Sequence, residues 1–152
     1  MEVDELDLKI LELLQENGKM GYREMAEKLN TNASTIFNRV RSLETNGIIR
    51  KYTAILNPDS LGYEITAVIM IRANGPRIVD IEKELASMPE VSLVYDITGE
   101  FDIMVGAKFK DRNSLNKFVK KVLALQGVER TTTNLVLNVV KEEPALPIQV
   151  DD

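Results

Sequence analysis

Residues Tyr22–Gly47, YREMAEKLNTNASTIFNRVRSLETNG, decide the fold of the amino-terminal part of this chain. They contain two amphipathic helical patterns separated by a polar break that leaves room only for a tight turn. In the second pattern the apolar residues Ile36, Val40 and Leu43 share one side at about 100° per residue. The opposite side carries hydrogen-bonding and cationic groups, which are Ser34, Asn38, Arg41 and Thr45. Such a face suits base edges beside a phosphate backbone, so the pattern predicts a DNA-binding helix-turn-helix.

A further helix is expected to precede this stretch. Asp4 suits its N-cap, and Asp7 falls at the N3 position, where the helix dipole favours a carboxylate. Asn17-Gly18 would end it. The buried side chains expected on this helix and the next are Leu6, Ile10, Leu13, Leu14, Met25, Ala26 and Leu29.

The two helices of the quoted stretch carry their own boundary signals. Gly21 would begin the second helix, and Asn32 would cap the third at the amide of Ser34 or Thr35. Gly47 follows the last periodic residue, which is the usual place of a C′ glycine.

After residue 47 the pattern changes. Ile48–Leu56 alternates as an extended strand would, and Asn57-Pro58-Asp59 breaks it. Strands are then expected at 65–73, 91–98, 101–109 and 128–140, and helices at 77–88 and 114–125, which is the ferredoxin-like βαββαβ order. The sequence therefore predicts an α+β chain. It has a helix-turn-helix domain at 1–50, a linking strand and hinge at 51–62, and a ferredoxin-like domain at 63–152.

One face of the predicted sheet has no helix to cover it. The strand 65–73 is apolar on both sides, with Ile65, Ala67, Ile69 and Ile71 on one and Val68 and Met70 on the other. Because so apolar a patch is unusual on a monomer, we expect association with a second copy, most simply as a twofold dimer. The alternative is that the tail Pro144–Val150 of the same chain covers this face.

The composition argues against several function classes. The 152 residues include no cysteine and no histidine, which removes disulfides, thiolate and imidazole chemistry and the usual transition-metal ligands. We therefore expect neither an enzyme nor a metal site or cofactor. No apolar run approaches the roughly 20 residues that span a bilayer, and the start MEVDELD lacks a secretory pattern, so a cytoplasmic location is expected.

The net charge of −5 is unfavourable for DNA binding, but the local charge matters more. Between residues 32 and 53 the chain carries Arg39, Arg41, Arg50 and Lys51 against the single carboxylate of Glu44. Screening over roughly 8 Å at cellular salt lets such a patch act on an acidic protein.

These residues resemble the Lrp/AsnC family, the feast/famine transcription regulators of bacteria and archaea. The matching pieces are LDLKILELLQENG at 6–18, EMAEKL at 24–29, STIFNRVRSLETNGII at 34–49, YTAILNPDSLGY at 52–63 and TGEFD at 98–102. The resemblance implies an effector-sensing carboxyl-terminal domain that dimerises, assembly into tetramers or octamers, and amino acid effectors bound between neighbouring dimers. Gly21 departs from the serine or threonine of many relatives, at a cost of a few tenths of a kcal/mol.

On the third helix we expect Ser34, Thr35, Asn38 and Arg41 to contact bases. Asn38 can pair with adenine through two hydrogen bonds, and Arg41 can do the same with guanine. Phe37 could touch a thymine methyl, although packing against the first helix or the linking strand is the favoured alternative.

Three further cations complete the predicted DNA-binding set. Arg39 lies near the buried edge and is expected to pair with Glu44 or with a phosphate. Arg50 and Lys51 follow the helix and could contact the DNA backbone, which would position the protein without specifying sequence.

For the effector, Gly99 and Asp102 match the G-x-x-D element of the family. Asp102 could hold an α-ammonium group, or it could cap a turn. Relatives place effector-response residues at the positions of Thr132, Thr133, Asn134, Leu135 and Val136. The amide of Asn134 suggests that an acidic or amide-bearing amino acid would suit no worse than leucine.

The predicted partners are thus duplex DNA, further copies of the chain and a small effector. The rival hypothesis is a metabolite sensor, or the regulatory partner of an enzyme, whose helical head docks protein. Salt-dependent binding to duplex DNA distinguishes the two.

Overall fold

Two units share the chain in the computed structural model, which describes residues 2–149. Among the described residues, one unit contains those up to Ile55 together with Glu142–Gln149, and the other is Leu56–Lys141. We call them the head and the sensory unit. The division at Ile55 falls inside the predicted hinge 51–62, and the head unit also includes the described residues from Glu142 to Gln149.

The head contains the three expected helices, α1 (Glu5–Glu16), α2 (Tyr22–Lys28) and α3 (Ala33–Thr45). Each start follows from local chemistry. The side chain of Asp4 accepts from the amide of Asp7 and that of Asp7 accepts from the amide of Asp4, which is a reciprocal capping box. Gly21 begins α2 without a side-chain cap, and Asn32 accepts from the amide of Thr35 at 2.8 Å. The predicted caps are confirmed.

The turns of the head use left-handed backbone where the sequence allows it. Asn30, between α2 and α3, has a φ of +50°, a conformation in which asparagine is enriched. Gly47 has a φ of +72° and ends α3 in a Schellman motif, because its amide reaches Glu44 and the next amide reaches Leu43. The core that the helices enclose consists of Ile10, Met25, Ala26, Ile36, Val40 and Leu43.

The predicted strand at 48–56 is wrong for this chain by itself. Residues 50–57 have no regular secondary structure, and Ile55 and Leu56 leave 70% and 63% of their surface in solvent. A strand needs a neighbour for its backbone hydrogen bonds, and alternation along the sequence does not supply one.

The tail of the chain packs on the first helix of the head. The side-chain amide of Gln15 donates to the carbonyl of Leu146 at 2.9 Å and accepts from its amide at 2.7 Å. The tail is therefore held at α1 through Leu146. This contradicts the alternative in which Pro144–Val150 covers the sheet; Val150 lies outside the described residues.

The sensory unit has the predicted βαββαβ order. Its elements are β1 (Ile65–Ala73), α4 (Ile78–Ala86), β2 (Val91–Asp96), β3 (Ile103–Phe109), α5 (Arg112–Leu123) and β4 (Val128–Leu135). The antiparallel sheet has the order β2-β3-β1-β4, so the first strand lies between the third and the fourth.

Three of the strands are shorter than their sequence patterns predicted. The sequence predicted that β4 continues to Val140, but it ends at Leu135. Leu135 pairs with Ala67 near the start of β1, so little of β1 remains to pair with residues after Leu135. Similarly, β2 ends at Asp96 and β3 begins at Ile103, leaving a longer turn between them. Strand length is set by the neighbour here.

Both α-helices of the sensory unit cover the same face of the sheet. The core between the layers includes Ala67, Ile69, Ile71 and Ala73 of β1, Val105 and Phe109 of β3, and Leu85, Phe118 and Val122 of the helices. The other face carries Val68 and Met70, which are half-buried, and Tyr95, which is 54% exposed. We call this the open face. It lacks a covering layer among the described residues of the unit.

Candidate nucleic-acid interface and effector surface

The outer side of α3 presents the side chains predicted to read bases. Ser34, Asn38 and Arg41 are exposed, and Thr35 is partly buried. The hydroxyl of Ser34 donates to the Asn32 side chain at 2.7 Å, so it contributes to the cap as well. Asn38 and Arg41 form no side-chain hydrogen bond or ion pair with any described residue. Their amide and guanidinium groups therefore remain available to a ligand on this face.

Arg39 lies on the same helix but points to a different partner. Its guanidinium binds Asp4 at 2.5 Å and Asp7 at 3.2 Å, and the expected pair with Glu44 is wrong. Asp7 is completely buried, so this contact fastens the start of α1 to the middle of α3. The amide of Asp7 and the guanidinium of Arg39 hold the pKa of Asp4 below its ordinary value.

Three aromatic side chains beside α3 form contacts that the sequence did not predict. Phe37 is 43% exposed and packs edge-to-face against Tyr22 of α2, with ring centroids 5.6 Å apart. The expected packing of Phe37 against the first helix or the linking strand is therefore replaced by α2. The Tyr52 hydroxyl donates to Glu44 at 2.9 Å. Burial and this carboxylate raise the pKa of Tyr52 to about 12.

Arg50 and Lys51 follow α3 on the irregular segment. Both are exposed, and neither forms an ion pair with a described residue. Glu44 is the only carboxylate between residues 32 and 53, and it accepts from Tyr52, so local negative charge near these cations is low. The head thus concentrates unpaired cations on and just after α3, inside an acidic chain.

In the sensory unit, Gly99 and Asp102 lie in the turn between β2 and β3. Gly99 has a φ of +116°, which favours glycine. The Asp102 carboxylate accepts from the amide of Ala73 at 2.8 Å, and its own amide donates to Ile71. Of the two readings of Asp102, the capping role is therefore present in the structure, at the end of β1.

The other predicted effector residues are spread along β4 and beyond. Thr132 pairs with Met70 and Asn134 with Val68, so both lie on the open face, and the Asn134 amide donates to the Val68 carbonyl at 3.2 Å. Thr133 and Leu135 lie on the other face, and Val136 bonds to Thr66. The seven residue steps from Thr66 to Ala73 span about 23 Å, so one chain does not gather Asp102 and Val136 into a single site.

Two charged contacts near the turn were also missed by the sequence pattern. Arg130 binds Glu100 at 2.6 Å and lies over the ring of Phe101, which anchors the turn to β4.

Burial and the nearby Asp96 raise the pKa of Glu82 on α4. Contacts between residues about 14 to 30 positions apart leave no local signature, so only the folded sheet reveals them.

Within the described residues there is no cluster of three or more acidic, histidine or cysteine side chains placed to hold a metal ion. No described helix is both long enough and apolar enough to cross a membrane.

Comparisons with known proteins agree on both units. A family model for a winged helix-turn-helix DNA-binding domain matches residues 3–50, and one for the Lrp/AsnC ligand binding domain matches residues 66–146. An HTH-type transcriptional regulator of Pyrococcus furiosus is 50% identical over 94% of this chain and 97% of its own length. The regulator FL11 of the same organism is 38% identical, with 97% of each chain covered.

Solved structures show the same fold over nearly the full length. A transcriptional regulator of Neisseria meningitidis in complex with L-Met has a TM-score of 0.89 at 32% identity, covering 96% of this chain and 97% of that one. AsnC of E. coli has a TM-score of 0.86 at 26% identity, covering 95% and 99%. With its helix-turn-helix head, its ferredoxin-like sensory unit and these relatives, the chain belongs to the Lrp/AsnC family of transcriptional regulators.

Proposed function

We propose that this regulator binds specific duplex DNA through the outer side of α3, as a dimer formed by the open faces of two sheets. We further propose that an α-amino acid modulates it. The availability of Asn38 and Arg41 on an exposed helix face carries the first part of this proposal. Both have the geometry to form two hydrogen bonds with one base, Asn38 with adenine and Arg41 with guanine. Arg50 and Lys51 supply contacts to the phosphate backbone.

Arg39 is not part of the proposed DNA contact. Its guanidinium is held by two carboxylates of the head, and releasing it to a phosphate would leave the buried Asp7 without its cation. Its role is to position the recognition helix. Phe37 keeps an exposed edge, which supports contact with a thymine methyl next to the Asn38 site.

Fluorescence anisotropy on an operator selected from random duplexes tests the DNA proposal. Arg41→Ala is expected to weaken the preferred sequence by about 1–3 kcal/mol and to relax preference at one base pair. Lys51→Ala is expected to weaken all sequences alike and to reduce the salt slope by about 0.9. Lys83→Ala, on the exposed side of α4, is the control. A wild-type chain that selects no duplex would overturn the proposal and favour a head that docks protein.

The dimer is proposed from the open face. Its half-buried Val68 and Met70 and exposed Tyr95 form an apolar surface that no described part of the same unit covers. Two copies related by a twofold axis would present two recognition helices to a pseudo-palindrome. Half-sites would then lie about 34–36 Å apart, or a multiple of that distance.

Light scattering of the purified chain tests the dimer. The wild type is expected to have at least twice the mass of one 17.1 kDa chain. Met70→Glu is expected to reduce that mass, because a carboxylate would be buried without a partner. Val79→Glu, at an apolar position that is 58% exposed on α4, is the matched control. A monomeric wild type, or a Met70→Glu variant of unchanged mass, contradicts the open-face interface.

The effector class rests on the ligand-binding domain and on a neighbour solved with L-Met. Asp102 retains one carboxylate oxygen beyond its bond to Ala73, and that oxygen suits an α-ammonium group. Because the candidate residues extend along β4, a second copy would complete the site. Isothermal titration against the twenty amino acids is expected to show binding of at least one of them. Silence across the panel refutes this part of the proposal.

A further inference from the structure

The outer side of α5 is a cationic surface in an otherwise acidic protein. From Arg112 to Val128 the sequence contains Arg112, Lys117, Lys120 and Lys121 and no carboxylate, while the whole chain carries 19 cationic and 24 acidic residues. All four cations are exposed, and none forms an ion pair with a described residue. A helix that is merely solvated usually mixes both signs, as α4 does with Asp80, Glu82, Lys83 and Glu84.

Helical geometry gathers three of these cations, Lys117, Lys120 and Lys121, into one stripe. The inner side of α5 is fixed by the buried residues Leu115, Phe118 and Val122. At about 100° per residue, Lys120 lies opposite the buried side, Lys117 lies about 50° from that direction, and Lys121 lies at the boundary with the buried side. The neutral donors Asn113 and Asn116 share that outer side and are exposed. The stripe from Asn113 to Lys121 is about 12 Å long.

Ordinary roles explain only part of this charge. Lys120 and Lys121 lie in the last turn, where cations interact favourably with the helix dipole. Arg112 lies in the first turn, where a cation is unfavourable, and Lys117 lies in the middle. The nearest carboxylate in the sequence, Asp111, caps the helix by accepting from the amide of Ser114 at 2.7 Å. Ser114 first, and Lys117 as well, lower the pKa of this one carboxylate, so the four cations of α5 leave a net positive charge.

We propose that this α5 stripe binds the phosphate backbone of duplex DNA outside the bases read by the head. The inference rests on the proposed function, because it requires a regulator that engages duplex DNA. Lysine, arginine and asparagine are the side chains that typically contact phosphate without reading sequence. A protein partner fits less well, because lysine is depleted in protein interfaces. Twelve ångströms corresponds to about three phosphates along one strand of B-DNA.

The proposal is tested by measuring how strongly the full chain binds an operator at a series of salt concentrations. The operator lies within a duplex of about 100 bp, which is shorter than the persistence length of DNA. The variant Lys117→Gln/Lys120→Gln loses two charges of the stripe. The control Lys83→Gln/Lys141→Gln loses two exposed charges elsewhere in the sensory unit, so the change in net charge is the same. Counterion release predicts that each lost phosphate contact lowers the salt slope by about 0.9 and the affinity about eightfold at 0.1 M salt.

Compared with the control, the Lys117→Gln/Lys120→Gln variant is expected to bind duplex DNA more weakly, and its affinity is expected to depend less steeply on salt. Its base preference and its mass should remain those of the wild type. Equal affinity and slope for the two double variants would overturn the inference. A change of mass by light scattering in the stripe variant alone would also overturn it, since the stripe would then be an interface between proteins. If the wild type binds no duplex, the proposed function itself fails; if it binds and the variants agree, only the α5 inference fails.

Discussion

Replacing Arg39 with methionine tests the contact that orients the recognition helix. Asp7 is completely buried, and its Oδ2 atom accepts from the amide of Asp4 at 3.1 Å and from Arg39 at 3.2 Å. Its Oδ1 atom has no hydrogen-bond partner among the described residues. Arg39→Met keeps much of the side-chain volume but leaves the carboxylate with a single neutral donor.

The magnitude follows from which groups lose a partner. A hydrogen bond to a charged group contributes about 1.5–3 kcal/mol, and breaking a fully buried ion pair costs about 3–5 kcal/mol. The Arg39 side chain is 36% exposed, so water screens the ion pair with Asp7. The lower of the two ranges, about 1.5–3 kcal/mol, therefore applies to Asp7. The Asp4 side chain is 51% exposed and adds about 0–1 kcal/mol. The two contributions together predict that the head loses about 1.5–4 kcal/mol.

Hydrogen exchange of the full chain measures this loss locally. Amides of α1 and α3 should exchange about 10- to 700-fold faster in Arg39→Met, since each 1.4 kcal/mol is a factor of ten. Arg41→Met, the same chemical change two residues away at an exposed and unpaired position, should alter exchange less than about threefold. If the two variants exchange alike in α1, the Arg39 contact does not hold the helices together.

The capping box and the Arg39 contact together make the head sensitive to acid, because the amide of Asp7 and then the guanidinium of Arg39 lower the pKa of Asp4. Asp4 has a lowered pKa in the folded chain, so its contribution is fully present above its unfolded pKa of about 3.9 and is lost as pH falls through the folded pKa. The exchange difference between Arg39→Met and wild type should therefore shrink below about pH 4 by the part that Asp4 contributes, which is up to about fivefold. A difference that stays constant down to pH 2 would contradict this assignment.

Three further changes have defined outcomes. Gly127→Ala should lower the thermal midpoint, because Gly127 has a φ of +99° and an added Cβ would lie 2.6 Å from that of Arg77; Gly75→Ala, in open space, should not. Tyr52→Phe should remove the step near pH 12 from the absorbance titration of the four tyrosines; losing an ordinary step near 10 instead would contradict the bond to Glu44. Glu82→Gln should raise the midpoint of thermal unfolding at pH 7, because burial disfavours the ionised carboxyl there. At pH 3 Glu82 is protonated, so the substitution should give no gain.

Helix boundaries in the head could be predicted because their causes are local. Asp4 with Asp7 and Asn32 with Thr35 are three residues apart, and Gly47 acts on the turn directly before it. Each interaction forms within one turn of chain, so the residue types alone specify it. The central strand Ile65–Ala73 was also predicted with its bounds, because apolar residues on both sides identify a strand with two neighbours.

The errors concern pairings between distant residues. The segment 48–56 has the pattern of a strand but no partner in this chain, and β4 ends where β1 stops offering one. Phe37 packs on α2, and Gln15 binds Leu146 from 131 positions away. Residue type limits what a side chain can bond, but it does not say which bonding group the fold will bring near.

By itself, then, the sequence determined the order of elements, their caps and the polar outer side of α3, since these depend on neighbours within a few residues. Only the tertiary structure decided which cations are engaged. Arg39 and Arg41 lie two positions apart and look alike in the sequence, yet helix geometry turns Arg39 toward Asp7 and leaves Arg41 exposed. The physical reason is that burying a carboxylate requires a cation beside it, and the packing of α1 against α3 selects which one.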